Sequence, residues 1–595
     1  MNNKIAVVDF GGQYAHLIAN RIRRQGVYGE VIPSTASLEV ASRFKGIILS
    51  GGPSSVYSGE APEFNADMLK VKVPVLGICY GHQLLTESYG GKVKQGEVHE
   101  FGPAYLQANT QHPLFKGLSA QSKMWMSHGD EVAHLPDGFK IIGSTKECRH
   151  AAVANDKEQR FGIQFHPEVT HSEEGMKVLD NFINLCGAER DWDMTTYTAQ
   201  LKKKLLKQCE GKNVFLLVSG GVDSTVAFAL LNQVLGADRV RGLHIDNGLM
   251  RLNESTEIME FLKKEGFNNL TLSEAQDLFL SRLKGVTAPE AKRKIIGDTF
   301  LDVLNKEVSS YDMDPDTWLL AQGTTYPDTI ESGGTKNAAT IKTHHNRVPA
   351  ALELLEKGLI IEPLAELYKD EVREMGENLG IPYDLVWRHP FPGPGLGVRL
   401  LCKGKEDIGI EKEAQKSLQV LLNSKGIQGE IVPLKSVGVQ GDARTYAHPC
   451  LLKKNRDWQV CDDLAIEITN QIRDINRVVL EIATEGEEYL SIEADCSEER
   501  VHLLQKVDAI CTETLRRENL YKTIWQMPVV LLPLTVNNKP VIVLRPIESA
   551  EAMTANFTRI DFSILDALWE KIKGMGIGAL WYDVTHKPPG TIEWE

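Results

Sequence analysis

Two short stretches of this chain carry residues whose types and spacing can do chemistry. In VPVLGICYGHQLL (73–85), an apolar run that reads as a strand delivers Cys79 into a turn, with Gly77 and Gly81 on either side, ahead of a helix. Small neighbours permit the sharp strand-to-helix turn of a nucleophile elbow, which thrusts the side chain out near a helix N-terminus. A free thiol is only a few per cent thiolate at neutral pH, and a helix dipole with a nearby imidazole raises that fraction. FGIQFHPEV (161–169) supplies the candidate base. Phe161, Ile163 and Phe165 alternate with Gly162, Gln164 and His166, the pattern of a half-buried strand that presents His166. Glu168, two residues on, falls on the same side of an extended chain, where it would hold the other ring nitrogen. Ser50-Gly51-Gly52-Pro53, at another strand end, offers backbone N–H groups to an oxyanion. A buried cysteine or a His-Pro turn alone reads more readily as structure. Together these residues read as a thiol acyl-transfer centre.

The second stretch, NVFLLVSGGVDSTVAFALL (213–231), sets Ser219, Gly220, Gly221, Val222, Asp223, Ser224 and Thr225 between a strand and a helix. Backbone N–H groups and the helix dipole bind phosphate in such a place. No G-K-[ST] is present, so it is not a Walker A loop. It resembles the pyrophosphatase-type loop of N-type ATP hydrolases, which implies that ATP is split at its α-phosphate and AMP passes to a substrate oxygen. HKPPGTIEWE, with Lys587 and Glu593, is a rigid, charged stretch that would carry little weight alone.

The elements that must position these residues suggest three regions of an α/β multi-domain chain. In 1–190, short apolar strands (5–10, 47–49, 73–78) each end in a glycine-rich turn, and helical periodicity follows, as in Leu17, Ile18 and Ile22. That alternation predicts a parallel sheet with ligands at the strands' carboxyl ends. The polar stretch 188–196 reads as a linker. The region 200–397 opens with a Lys-rich helix (201–208) and closes at HPFPGPGLG (389–397), a boundary or ordered crossover loop. The region 398–595 reads as an α+β unit with an internal repeat. IVPLKSVGV at 431 lines up with VLLPLTVNN at 530, helical 462–472 with 561–572, and strand 478–482 with 579–584, all offset by roughly 100 residues.

Composition narrows the function. The 595 residues are 42% hydrophobic and 25% charged, which excludes global disorder. Acidic residues outnumber basic ones, for a net charge of −14, which argues against a nucleic-acid partner. No apolar run approaches a membrane span, and the start is too short for a signal-peptide core. Nine scattered cysteines, none in a CxxC pair, fit a reducing, cytosolic setting.

Read together, the chain resembles the glutamine-hydrolysing GMP synthetases over essentially its whole length: a class I glutamine amidotransferase, an ATP pyrophosphatase domain and a C-terminal GMP synthetase domain. The resemblance rests on MSHGDEV (126–132), SGGVDST (219–225), HIDNGLMR (244–251), QGTTYPDTIES (322–332), IKTHHN (341–346), EPLAELYKDEVR (362–373), RHPFPGPGLGVR (388–399) and SVGVQGD (436–442), in that order. It implies that Cys79, His166 and Glu168 form a catalytic triad, with Gly52 and the Tyr80 N–H as oxyanion donors. It implies that residues 219–225 hold ATP with Mg²⁺, with Asp223 as the candidate metal ligand. Asp442, Gln526, Lys587 and Glu593 match positions used for xanthosine 5′-monophosphate (XMP), and Lys342 is a phosphate candidate. The expected reaction forms GMP from glutamine, ATP and XMP, releasing AMP, pyrophosphate and glutamate. The alternatives are another amidotransferase with the same ATP loop, or a catalytically weak binding scaffold. After IKTHHN the chain continues RVPAALELLEKG and lacks a Gly-rich continuation of bacterial members. Its third region is longer than in compact bacterial forms, as in animal-type members. A duplicated unit of that kind would stand in for a partner, so both monomer and homodimer remain open.

Overall fold

The computed structural model describes residues 3–331 except 13, 60, 310, 312 and 315, together with 357, 359–406, 408–440, 443–549 and 555–595. Two of the sequence candidates, Lys342 and Asp442, lie outside the described residues. The chain forms two compact units, Met1–Gln200 and Leu201–Glu595.

The first unit is built on a nine-stranded sheet in the order β2–β1–β3–β4–β9–β8–β7–β5–β6. The strands are β1 (Lys4–Asp9), β2 (Tyr28–Pro33), β3 (Gly46–Leu49), β4 (Val75–Ile78), β5 (Lys92–Ala108), β6 (Gln121–His134), β7 (Lys140–Ser144), β8 (Ala152–Asn155) and β9 (Arg160–Ile163). From β2 to β9 the pairing is parallel, and from β9 to β6 it is antiparallel. Every residue of β3, β4 and β9 is buried, as expected of strands covered on both faces. The alternation at 161–166 is therefore not that of a half-buried strand. β9 stops at Ile163, and His166 lies in the loop beyond it. The polar stretch read as a linker becomes helical at Met194, where Met194–Gln208 forms a helix.

In the second unit, β10 (Asn213–Leu217), β11 (Val240–Asp246), β12 (Leu270–Glu274), β13 (Trp318–Ala321) and β14 (Ile360–Ile361) form a wholly parallel sheet ordered β12–β11–β10–β13–β14. The chain leaves β10 toward β11 on one side and returns to β13 on the other. Ligands bind parallel sheets at such a switch point, and residues 219–225 follow β10 there.

A second, eight-stranded sheet follows the order β15–β17–β18–β24–β21–β20–β19, with β16 (Ser436–Gln440) on β17. It contains β15 (Gln428–Ile431), β17 (Ala443–Lys453), β18 (Ile475–Thr484), β19 (Leu490–Ser491), β20 (Val529–Val536), β21 (Lys539–Leu544) and β24 (Ala579–Asp583), while β22 (Ile547–Glu548) and β23 (Asn556–Phe557) pair apart. The helix Trp458–Gln471 joins the parallel pair β17 and β18, and Phe562–Lys573 lies between the parallel pair β21 and β24. One apolar cluster runs from Phe215 and Leu243 through Leu396 and Leu400 to Leu531 and Tyr582. The residues on both sides of 397 thus share a core. The Pro/Gly stretch between them is ordered: Leu396 donates its N–H to Leu249 O (2.7 Å), and His389 stacks on Tyr521 at 4.0 Å.

A buried charge cluster pins this sheet. Asp583 pairs with Arg477 and Arg545, each at 2.9 Å, and accepts from Trp594 Nε1 at 2.9 Å, with the three charged side chains fully buried. Removing one partner of a buried pair strands the other charge. Asp583→Asn should lower the unfolding free energy by about 3–5 kcal/mol, read from urea titration of the full chain. A loss below about 1 kcal/mol would show that the two guanidiniums do not depend on this carboxylate.

Candidate active site

The elbow is formed as its sequence demands. β4 runs directly into the helix Tyr80–Ser88, and Cys79 is the single residue of the turn, at φ 51° and ψ −108°. This is strained for a non-glycine residue and persists because the surroundings fix it. A Cβ on Gly77 would stand 2.4 Å from Gly81 O, and one on Gly81 would stand 2.2 Å from Leu49 O. Neither position admits a side chain, so both glycines are required by close backbone approach.

The structure brings Cys79, His166 and Glu168 together, all buried. His166 Nδ1 is 2.7 Å from Glu168 Oε1, and its main-chain N–H donates to Trp125 O at 2.9 Å. The loop is further held by Ser172 Oγ donating to His166 O (2.5 Å) and Arg21 Nε donating to Glu168 O (3.0 Å). Burial works against an imidazolium here. The charges of Glu168 and the Cys79 sulphur, with hydrogen bonds to both, outweigh it and hold the His166 pKa well above 6.5. A cavity of about 420 Å³ opens onto Cys79, lined also by Gly52, Tyr80, Gln83, Ser127, His128 and Asp130. Gly52 and Tyr80, the sequence candidates for oxyanion donors, are therefore at the same site as the thiol.

Several residues of this wall escaped residue-by-residue reading. Gln164 Nε2 lies 3.7 Å from Cys79 Sγ, and Gln83 Nε2 donates to Gln164 Oε1 (3.2 Å) and to Asp130 O (3.0 Å). The Ser127–Asp130 wall belongs to MSHGDEV, the signal that could have found it.

In the second unit, Gly220 turns at φ 83° and the helix Val222–Leu235 begins at once. Ser219 Oγ receives the Gly221 N–H (3.3 Å), and Ser224 and Thr225 hydroxyls donate to Gly221 O (3.0 and 2.9 Å). The turn after β13 closes on the loop, since a Cβ on Gly323 would stand 3.1 Å from Ser224 N. Asp223 is 3.7 Å from Lys369 Nζ, and its Oδ1 is buried without a hydrogen-bond partner. Burial raises its carboxyl pKa, Lys369 opposes the rise, and Asp328 adds to it. Lys369 lies in EPLAELYKDEVR and was not singled out from the sequence.

Two of the C-terminal candidates meet. Gln526 Nε2 donates to Glu593 Oε1 (3.3 Å), and Arg399 grips the same carboxylate through Nε (3.1 Å) and Nη2 (2.9 Å). Lys587 has a different setting, its main chain paired with Ala555, its pKa lowered by burial and then by Arg545.

Comparisons with known proteins show the family. Residues 6–185 match the model of the class-I glutamine amidotransferases, and residues 513–594 match that of the GMP synthase C-terminal domain. Over 610 aligned residues the chain is 45% identical to a Leptospira interrogans protein named a probable GMP synthase (glutamine-hydrolyzing), with 100% of each covered. It is 41% identical to the GMP synthase (glutamine-hydrolyzing) of Syntrophomonas wolfei, across 81% of this chain and 97% of the relative. The chain belongs to the glutamine-hydrolysing GMP synthase family. It is a ligase that makes GMP with nitrogen taken from glutamine.

The raised His166 pKa gives the His166–Glu168 pair a measurable signature. Because the folded-state pKa of His166 is raised, the pair contributes stability that is present below the unfolded value near 6.5 and is lost as pH rises through the higher folded value. Glu168→Gln should bring the His166 titration midpoint down, followed by NMR of the labelled imidazole. An unmoved midpoint would mean that Glu168 does not hold the charge.

Proposed function

We propose that the two centres divide the reaction. At the first, the Cys79 thiolate attacks the carboxamide carbon of glutamine, Gly52 and Tyr80 N–H groups donate to the oxyanion, and His166 protonates the amide nitrogen, which departs as ammonia. Glu168 keeps the imidazole oriented, and water then releases glutamate from the thioester. The observation that carries this reading is the strained turn that opens Cys79 onto a cavity while the buried His166–Glu168 pair interacts with the same sulphur.

At the second centre, residues 219–225 would cup the pyrophosphate of ATP while the O2 of XMP attacks the α-phosphorus. Pyrophosphate leaves, and ammonia then displaces AMP from the adenylated XMP to give GMP. Position at the switch point of a parallel sheet, on a helix N-terminus, supports the loop assignment. The orphaned Oδ1 of Asp223 fits a hard cation, so Asp223 is the residue that would hold Mg²⁺. The ion would neutralise charge on the leaving pyrophosphate. Gln526 and Glu593, tied to Arg399, and Lys587 would be contacts for XMP.

We further infer three functional segments, 1–190, 200–397 and 398–595, with a duplicated β-β-α-β unit in the last. The order β15–β17–β18 facing β24–β21–β20 supports the duplication, because β18 and β24 pair antiparallel at the centre of two like halves. Such a pair of halves would occupy each other as two protomers do, favouring a monomer. The full-length match to a bacterial relative means that length alone does not separate animal-type members. Nine free cysteines support a reducing, cytosolic setting.

Cys79→Ala should cut glutamine-dependent GMP formation by about 10³-fold or more while leaving formation from ammonium salts within about twofold of the parent. Equal loss of both would overturn the division of labour. Asp223→Ala should abolish pyrophosphate release with either nitrogen source, and full release in that variant would sink the loop assignment.

A further inference from the structure

Within the second unit, two thiols that the synthesis does not use lie in contact. Cys402 Sγ is 3.8 Å from Cys496 Sγ, and the chains that carry them are clamped by reciprocal main-chain bonds between Lys403 and Ala494 (2.8 and 2.9 Å). A disulfide needs the sulphurs at about 2.0 Å, so closure requires side-chain movement of under about 2 Å. Cys402 is half-buried and Cys496 buried, so one of the pair is open to a small reagent and the other waits behind it.

The surroundings differentiate the two. Lys292, whose ammonium donates to Gly397 O (2.9 Å) and Leu400 O (2.8 Å) and pairs with the Glu595 carboxylate, also faces Cys402. Arg500 reaches Leu401 O at 3.0 Å and adds a second positive charge beside it. We propose that Cys402 and Cys496 form a thiol modification site for hydroperoxides, with Cys402 as the attacking sulphur and Cys496 as the resolving one. The hydrogen bond from Cys496, helped by Lys292 and Arg500 against burial, lowers the Cys402 pKa and pushes that of Cys496 up. Burial holds Cys148 and Cys461, by contrast, up to about 12.

The chemistry balances with hydrogen peroxide as the oxidant. The Cys402 thiolate attacks one peroxide oxygen, an S–O bond forms, the O–O bond breaks, and the released hydroxide takes a proton to become water. The Cys496 sulphur then attacks the sulfenic sulphur. An S–S bond forms, the S–O bond breaks, and the hydroxyl leaves with the Cys496 proton as a second water. Two thiols lose two electrons, and the peroxide gains them.

The bond would report to the nucleotide side. Arg399, three residues before Cys402, grips Glu593, and Lys292 is shared between Cys402 and Glu595, two residues after Glu593. Oxidation removes the thiolate from Lys292 and leaves its charge to Glu595 alone. This consequence rests on the assignment of Glu593 to XMP, whereas the disulfide does not.

The test uses the full-length protein, hydrogen peroxide, alkylation of remaining thiols and mass mapping of unreduced peptides. A Cys402–Cys496 crosslink should form at least about ten times faster than Cys148 or Cys461 is oxidised. In Cys496→Ser, a dimedone-type trap should instead mark Cys402 as sulfenic acid. Recovery of both thiols intact after Cys79 has been oxidised would overturn the site. In the ammonia-dependent assay, the KM for XMP should shift at least about threefold on oxidation, return with dithiothreitol, and stay fixed in Cys402→Ser. A crosslink with no KM shift would overturn the link to the nucleotide side and leave the site standing.

Discussion

A buried parallel strand that turns sharply into a helix leaves little room for side chains, and both candidate centres sit at such a turn. After β4 the available space admits glycine at 77 and 81 and forces Cys79 to positive φ. The strain aims the sulphur into a cavity, and the helix N-terminus stands behind it. After β10, Gly220 turns at φ 83° and the helix Val222–Leu235 follows, so the loop of residues 219–225 lies on a helix N-terminus. Rigid sheets supply the positions, and the turns supply the chemistry.

The chemistry at each turn is then set by charges held out of water. The His166 pKa is held up because the charges of Glu168 and the Cys79 sulphur outweigh burial. Farther along the chain, Asp583 serves two arginines, while Arg399 and Lys292 hold the carboxylates of Glu593 and Glu595. Bidentate contact between a guanidinium and a carboxylate fixes orientation as well as charge, so the C-terminal segment is a placed element rather than a frayed end.

Much of this was legible in the sequence because turns and loops use few residue types. Gly77-Ile78-Cys79-Tyr80-Gly81 and the Ser-Gly-Gly-Val-Asp-Ser run announce backbone geometry directly, and the alternation of strands and helices announces parallel sheets. The misreading at 161–166 has a physical cause. Alternating apolar residues are the signature of a half-exposed strand, but β9 lies between β4 and β8 with both faces covered, and the chain leaves the sheet before reaching His166. Contacts between distant segments were not legible. Nothing in the spacing of Arg399 and Glu593, or of Cys402 and Cys496, brings them together; the shared core around Leu400 and Leu531 does. Lys369 beside Asp223 was hidden for the same reason, since the parallel sheet folds it back onto the loop.

The central claim is that one chain couples glutamine hydrolysis to splitting of ATP at its α-phosphate. A single incubation with glutamine, XMP, ATP and Mg²⁺, followed by separation and counting of every product, tests it most directly. The account predicts that each GMP is accompanied by one AMP, one pyrophosphate and at least one glutamate. GMP accompanied by ADP and phosphate would contradict it, because residues 219–225 would then not be the loop that cups a pyrophosphate leaving group.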